Sequence, residues 1–240
     1  RFARQFGASA NPQPPRYLGS RYNADGQFLS DPGNTIVCHL TAGSETEAAL
    51  LEARAAVMAF AEPGELAFTA PESLHMTLFQ GILDRRRTAP YWPADMADDL
   101  SVDETTKRFI ELLDGFEPGP AFAVEVTEVL PLGLIVKGHS EADRQALQFW
   151  RDRLADRFGY RHPDHDSYEF HITFAYPIWW IADDRIDPWA DRLDALTAEL
   201  RARVPVLDLR APAFCGFETM DWFEELVVLP VRAEATTESV

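Results

Sequence analysis

The sequence predicts an α+β protein made from a duplicated strand–helix–strand unit. Three observations lead to that class. Apolar residues make up 46% and charged residues 25% of 240 residues, the composition of an ordinary globular chain. Helical and strand-like apolar patterns alternate along it. Two stretches superimpose without a gap at an offset of 96 residues, each with a capping serine and a histidine strand. Wholesale disorder, collagen-like repetition and a small disulfide scaffold are excluded.

Taken in order, residues 1–33 read as an N-terminal arm. Asn11-Pro12-Gln13-Pro14-Pro15 cannot continue regular structure, and Asp25-Gly26 and Asp31-Pro32-Gly33-Asn34 mark turns. The first repeat spans about 34–129. Its strand Thr35 to Leu40 leads to Ser44, which caps a helix with Glu47 three residues on. Leu51, Ala55 and Met58 are the apolar stripe expected on that helix, and His75-Met76-Thr77-Leu78-Phe79 is the following strand. A further helix carries Phe109, Leu112 and Leu113, and a strand follows at about 121–130.

The second repeat spans about 130–231 and runs through the same series. Leu132 to Val136 is the strand, Ser140 with Asp143 the cap, and Leu147, Trp150, Leu154 and Phe158 the helix stripe. His171-Ile172-Thr173-Phe174-Ala175 is the histidine strand. Trp189, Leu193, Leu196 and Leu200 mark another helix, and strands at about 205–231 bracket the acidic turn Asp221 to Glu225. Residues 232–240 read as a frayed tail. With roughly four helices and seven or eight strands, the expected architecture is a single bilobal domain, 1–240. Its two sheet-and-helix lobes are related by a pseudo-twofold axis and flank a central cleft.

Twenty-two Lys and Arg against 39 Asp and Glu give a net charge of −17. A surface of that sign repels phosphate backbones, so long double-stranded nucleic acid is not an expected partner, whereas a small anion in one favourable pocket is. Cys38 and Cys215 lie in apolar, strand-like surroundings and read as buried free thiols in a reducing compartment. No apolar run reaches the roughly 18–20 residues of a membrane helix, and Arg1 to Gly7 lacks the apolar core of a signal peptide. A cytoplasmic location with no membrane partner is the expectation; the oligomeric state stays open.

The chemistry lies in the histidine strands. Alternate side chains share a face of a strand, so His75 and Thr77 point one way while Met76 and Leu78 point the other. His171 and Thr173 repeat that division against Ile172 and Phe174. On this composition six histidines yield the pattern His-x-Ser/Thr-apolar about 0.3 times by chance, and here it occurs twice at matched positions. Pseudo-symmetry brings two imidazoles and two hydroxyls to one cleft, the set that an in-line displacement at phosphorus needs. One imidazole takes a proton from the attacking oxygen, the other gives one to the leaving oxygen, and the hydroxyls hold the phosphate oxygens.

These duplicated motifs, His75-Met76-Thr77-Leu78 and His171-Ile172-Thr173-Phe174, resemble those of the two-histidine phosphoesterases, which include 2′,5′-RNA-ligase-like proteins and cyclic phosphodiesterases. The resemblance covers about residues 34 to 231. The text around Pro32 to Val37 and Tyr168 to Thr173 is similar to a bacterial and fungal branch. It implies metal-independent opening of a 2′,3′-cyclic phosphate or a related small nucleotide phosphodiester. His75 and His171 are then catalytic and Thr77 and Thr173 bind phosphate. Phe174 departs from the commoner Leu, a packing change. The acidic charge points away from a tRNA-sized substrate.

Other signals compete. Arg85-Arg86-Arg87 is the sole basic run, and Arg85 and Arg86 are candidate substrate-binding residues at an electropositive lip. Gly138-His139-Ser140-Glu141-Ala142 looks like a degenerate nucleophile elbow, but helix capping accounts for Ser140. His162, Asp164, His165 and Asp166 approach His171 with metal-like density. They read instead as a solvated loop entering the histidine strand, with His165 supporting the site, so no metal or cofactor is expected. Tyr176, Trp179 and Trp180 read as core or lobe-interface packing, with base stacking as the other use. A non-catalytic module that binds nucleotide in the same cleft is the alternative to an enzyme.

Overall fold

The computed structural model describes residues 2–232. The helices are α1 (Phe2–Phe6), α2 (Glu45–Phe60), α3 (Val102–Leu113), α4 (Glu141–Phe158) and α5 (Ile186–Arg203). The strands are β1 (Gly33–His39), β2 (Leu66–Phe68), β3 (His75–Phe79), β4 (Val124–Leu130), β5 (Gly133–Gly138), β6 (His171–Thr173), β7 (Ala175–Pro177), β8 (Ala213–Phe217) and β9 (Glu224–Val228). Beyond the elements expected from sequence, the structure adds α1 and the short pair β2–β7. Of the expected tail 232–240, only Arg232 lies within the described residues.

Seven strands form one antiparallel sheet in the order β4-β5-β6-β3-β1-β8-β9. The two histidine strands, β3 and β6, are neighbours at its centre, paired through Met76 and Ile172. The repeat is reproduced in register on either side of that pair. Val37, Cys38 and His39 of β1 face Thr77, Met76 and His75, while Gly133, Leu134 and Ile135 of β5 face Thr173, Ile172 and His171. Each of these residues lies 96 positions from its counterpart. The closing strands of each repeat, however, join the other half of the sheet: β4 pairs with β5, and β8 pairs with β1.

Met76, Leu78, Leu134, Ile172 and Phe174 are buried, in a core shared with Leu147, Trp150, Leu154 and Phe158 of α4 and Trp189, Leu193, Leu196 and Leu200 of α5. Those helix stripes are the ones the periodicity predicts. On α2 the buried stripe is instead Thr46, Ala49, Leu50, Ala53 and Val57, whereas Met58 is exposed and Leu51 only partly buried. Small residues on this face let the helix approach closely, and Met58 turns outward.

Residues 2–33 are packed rather than trailing. Phe6 and Tyr22 are buried, Ile181 donates its amide to the Phe6 carbonyl (2.9 Å), and the Tyr22 hydroxyl donates to the Pro177 carbonyl (2.6 Å). The arm therefore straps the open face of the sheet.

Helix starts follow side-chain chemistry. Ser44 Oγ accepts from the Glu47 amide (3.1 Å), and Ser101 and Ser140 each close a reciprocal capping box, with Glu104 and Asp143. Ser140 Oγ also donates to Asp143 Oδ2 (2.5 Å), which commits this hydroxyl to the helix end rather than to a nucleophile's role. Ser140→Ala is expected to cost about 1 kcal/mol of stability, measured by urea unfolding. An unchanged midpoint would remove the cap from the account of how α4 begins.

Candidate active site

The antiparallel register at Met76 and Ile172 sets His75 across from Thr173 and Thr77 across from His171, all on the face away from the core. The two histidines are then diagonal neighbours, with Cβ atoms roughly 7–8 Å apart, enough to admit a phosphoryl group between the rings. All four side chains line one open cavity of about 300 Å³.

Both imidazoles are held in the same tautomer. His75 Nδ1 lies 2.6 Å from the Ser73 carbonyl, and His171 Nδ1 lies 3.0 Å from the Glu169 carbonyl, positions again 96 apart. A carbonyl only accepts, so each Nδ1 carries the hydrogen and each Nε2 is free for chemistry.

Their surroundings differ. Phe223 packs edge-on against His75 at 4.2 Å between centroids, and His39 lies at 5.9 Å. Burial pushes the His75 pKa down to about 3, against the bond to Ser73 and with help from His39 and His171. His75 is therefore neutral near pH 7, with a free Nε2 lone pair. His171 has Tyr168 at 6.0 Å and no equivalent of Phe223 over it. Burial also raises the Tyr168 pKa, and its phenol is hydrogen-bonded with Thr77.

In a chain with 39 acidic residues, no carboxylate lines this cavity among the described residues. Its cations are Arg21 and Arg86. Arg86 lies over the Tyr91 ring (4.0 Å), and its buried Nε has no hydrogen-bond partner. Arg85 does not line the cavity: its Nε donates to Asp31 (2.6 Å) behind the wall. Arg21 shares that carboxylate (2.9 Å) and lies over Tyr17 and Tyr176 (4.5 and 5.7 Å). Sequence reading missed Arg21 and Tyr17, because the arm has no periodicity to show what it packs against.

Two expectations are corrected. The loop entering β6 is solvated at Arg161, Asp164, Asp166 and Ser167, but its two histidines are not: His162 and His165 are buried, only 4% and 2% exposed. The loop is anchored by Arg151, itself buried, which donates to the Leu78 carbonyl (2.8 Å) and the His165 carbonyl (3.2 Å) and covers the Tyr168 ring (4.2 Å). Trp179, read as packing, is 62% exposed, while Trp180 is pinned through its Nε1 to the Gln13 carbonyl (2.6 Å). Tyr176 lines the cavity and packs on Tyr22 and Phe28.

Among the described residues, Asp152, His165 and Asp166 have ligand atoms within 4.8 Å of one another. Arg161 already neutralises that group, 2.9 Å from Asp152 and 3.5 Å from Asp166, and none of it lines the cavity.

Fold and site together define a two-histidine phosphoesterase: two matched His-x-Thr strands, paired at the centre of one α+β sheet and open to one cavity. A family model agrees with that class. The family described as "2H-phosphodiest: Domain of unknown function (DUF1868)" matches residues 21–135, the first histidine strand included. The crystal structure of the conserved protein of unknown function ATU0111 from Agrobacterium tumefaciens str. C58 is 44% identical, with a TM-score of 0.92 over 95% of this chain and 97% of that one. TT0787 of Thermus thermophilus is 18% identical over 84% of this chain and 99% of its own (TM-score 0.47). A structure titled phosphoesterase is 12% identical over 85% and 99% (TM-score 0.43). No curated protein matches the chain. The chain belongs to the two-histidine phosphoesterase superfamily, in this 2H-phosphodiest family.

The buried His162 gives a pH prediction. Burial, then Arg86, pushes the His162 pKa down to about 4, while an unfolded histidine titrates near 6.5. Between those values the unfolded chain binds a proton that the native one refuses, so stability is lost as pH falls through the window. The loss attached to His162 is about 3 kcal/mol in full. In urea unfolding, the stability of wild type minus that of His162→Phe should fall as pH falls from 6.5 to 4. Parallel curves would contradict a neutral buried His162.

Proposed function

We propose that the protein is a metal-independent phosphodiesterase acting on a 2′,3′-cyclic phosphate or a related small nucleotide phosphodiester, by paired-histidine general acid–base catalysis. One observation carries the reading: two imidazoles with free Nε2 atoms and two threonine hydroxyls line one cavity that holds arginines and no carboxylate. Such a cavity selects a small anion in a chain whose surface repels large ones. The two buried free thiols suit a reducing compartment, and the cytoplasm is our proposed location.

In this mechanism His75, neutral at pH 7, takes a proton from water through Nε2 as the water oxygen bonds to phosphorus. His171, entering as imidazolium, gives its Nε2 proton to the departing ester oxygen. A cyclic phosphate opens to one phosphomonoester that carries the freed hydroxyl, an acyclic diester gives a phosphomonoester and an alcohol, and the enzyme regains its starting state by exchanging a proton with solvent. Thr77 and Thr173 donate to the non-bridging oxygens, and Arg86 and Arg21 offset the negative charge.

His75→Ala and His171→Ala should each lower kcat about 10²- to 10⁴-fold, and Thr77→Val and Thr173→Val about 10²-fold, with folding retained. A screen against 2′,3′-cyclic mononucleotides, with products identified by mass and phosphorus NMR, supplies the substrate. Near-full turnover by either histidine variant would end the paired mechanism, and ligand binding with no turnover would leave a nucleotide-binding module.

Turnover should survive EDTA and give a bell-shaped pH profile. Because the free-enzyme pKa of His75 is depressed, the acid limb of kcat/KM should fall below pH 6.5. A bound anion between the rings favours the imidazolium, so the acid limb of kcat should lie higher than that of kcat/KM. Activity lost in chelator and restored by a divalent ion would refute this chemistry.

A further inference from the structure

The open face of the sheet is symmetric in backbone but not in filling. On the β1 side, Val37 and Cys215 are covered by Met220 and Phe223 from the β8–β9 turn, a small apolar cluster that closes the sheet beside His75. On the β5 side, the position matching Val37 is Gly133 and the one matching His39 is Ile135. No turn covers them. A second cavity of about 350 Å³ lies there, and it shares His171, Thr173, Tyr17 and Tyr176 with the histidine cavity. The two spaces meet at His171.

The walls of this second space are apolar: Leu132 and Ile135 from the β5 side, Phe6 and Tyr22 from the arm, and Trp180. Trp180 Nε1 and the Tyr22 hydroxyl already donate to backbone carbonyls. Beyond His171, Thr173, Tyr17 and Tyr176, which it shares with the histidine cavity, the side-chain groups left for a polar ligand are Gln5 and Arg16, both exposed. A nucleobase read through its hydrogen-bonding edge finds few partners in such a slot, whereas an alkyl or aryl group is desolvated on several sides.

We infer that this groove holds an apolar alkyl or aryl alcohol as the leaving arm of an acyclic phosphodiester. The inference rests on the mechanism above, in which His171 protonates the leaving oxygen, because the groove opens on the His171 side and not on the His75 side. A phosphate between the histidines then directs its leaving arm over Gly133 and Ile135. Its other arm stays among Arg86, Arg21 and Tyr168. The groove thereby extends the proposed substrates to a monoanionic acyclic diester with one polar and one apolar arm.

Binding tests the groove without requiring turnover. Methylphosphonate monoesters are monoanionic analogues of a diester, and their O-methyl, O-butyl and O-benzyl forms, checked by phosphorus NMR for an intact ester after the titration, differ only in the arm. At about 0.8 kcal/mol per buried CH₂, roughly fourfold in affinity, the O-butyl ester should bind about 10- to 60-fold more tightly than the O-methyl ester. Calorimetry on the full chain reads this directly. Ile135→Gln and Leu132→Gln, both at half-buried positions, should flatten the series while leaving O-methyl affinity and 2′,3′-cyclic mononucleotide turnover within about twofold. Equal affinities across the series in wild type would overturn the inference and hand the groove to another occupant, such as a second copy of the chain. That result would leave the phosphodiesterase reading intact if cyclic mononucleotides are turned over. Conversely, a steep series in a protein that turns over no diester would retain the apolar groove and reject the catalytic reading.

Discussion

One ladder contact, Met76 against Ile172, pairs the two histidine strands and sets the geometry of the cavity. Both side chains are fully buried, so the apolar core fixes which face of each strand points inward. The histidines and threonines are left with the other face. A slip of one residue in this pairing would carry His75 and Thr77 into the core and Met76 and Leu78 into water, so core burial specifies the register and with it the site. The flanking strands reinforce the arrangement. Gly133 has φ +146°, and a Cβ there would sit 2.0 Å from the Ile172 carbonyl oxygen, so only glycine lets β5 lie this close to β6. Exchange of strands between lobes adds a further tie. Because β4 completes the second lobe and β8 and β9 complete the first, neither half of the chain contains its whole sheet.

Electrostatics divide along the same surfaces. The net charge of −17 is spread over the exterior, while the histidine cavity has arginines and no acidic side chain among its described lining residues. Arg85 and Arg21 share Asp31, which fixes the arm against the loop after β3 and holds Arg21 near the cavity. Arg86 lacks a carboxylate partner and has an aromatic face instead, leaving its charge available to a ligand. Long-range repulsion and a short-range positive pocket act at different distances, the first weakening beyond a Debye length of about 8 Å. A small anion can therefore enter where a polyanion is turned away.

Much of this was legible because it is carried by local pattern. The capping serines, the helix stripes of α4 and α5 and the two His-x-Thr strands depend on neighbours within a few residues, and the offset of 96 showed that they come in matched sets. Tertiary packing overrode local pattern elsewhere. On α2, Leu51, Ala55 and Met58 have helical spacing, but the close approach of small residues chose the adjacent stripe. The acidic, histidine-rich loop is solvated as its composition suggests, but the burial of His162 and His165 within it was hidden, because the anchor, Arg151, lies on α4 and reaches the loop only in three dimensions. Arg21 and Tyr17 could not be found from a segment whose order comes from aromatic contacts with Tyr176 and from the ion pair with Asp31.

Two equivalent histidines cannot by themselves give a reaction a direction, since either could serve as base or acid. Direction requires that the duplicated frame be broken, and it is broken both within the repeated strands, where Gly133 and Ile135 stand in place of Val37 and His39, and outside them. The β8–β9 turn puts Phe223 against His75, which desolvates that ring and keeps it neutral. The matching place beside His171 has Tyr168, and beyond it the sheet is left open over β5. One histidine is thus enclosed and the other borders free space. Catalysis by a symmetric fold then depends on what is added asymmetrically to it: a turn that closes one end of the groove, and an arm that walls the other without filling it.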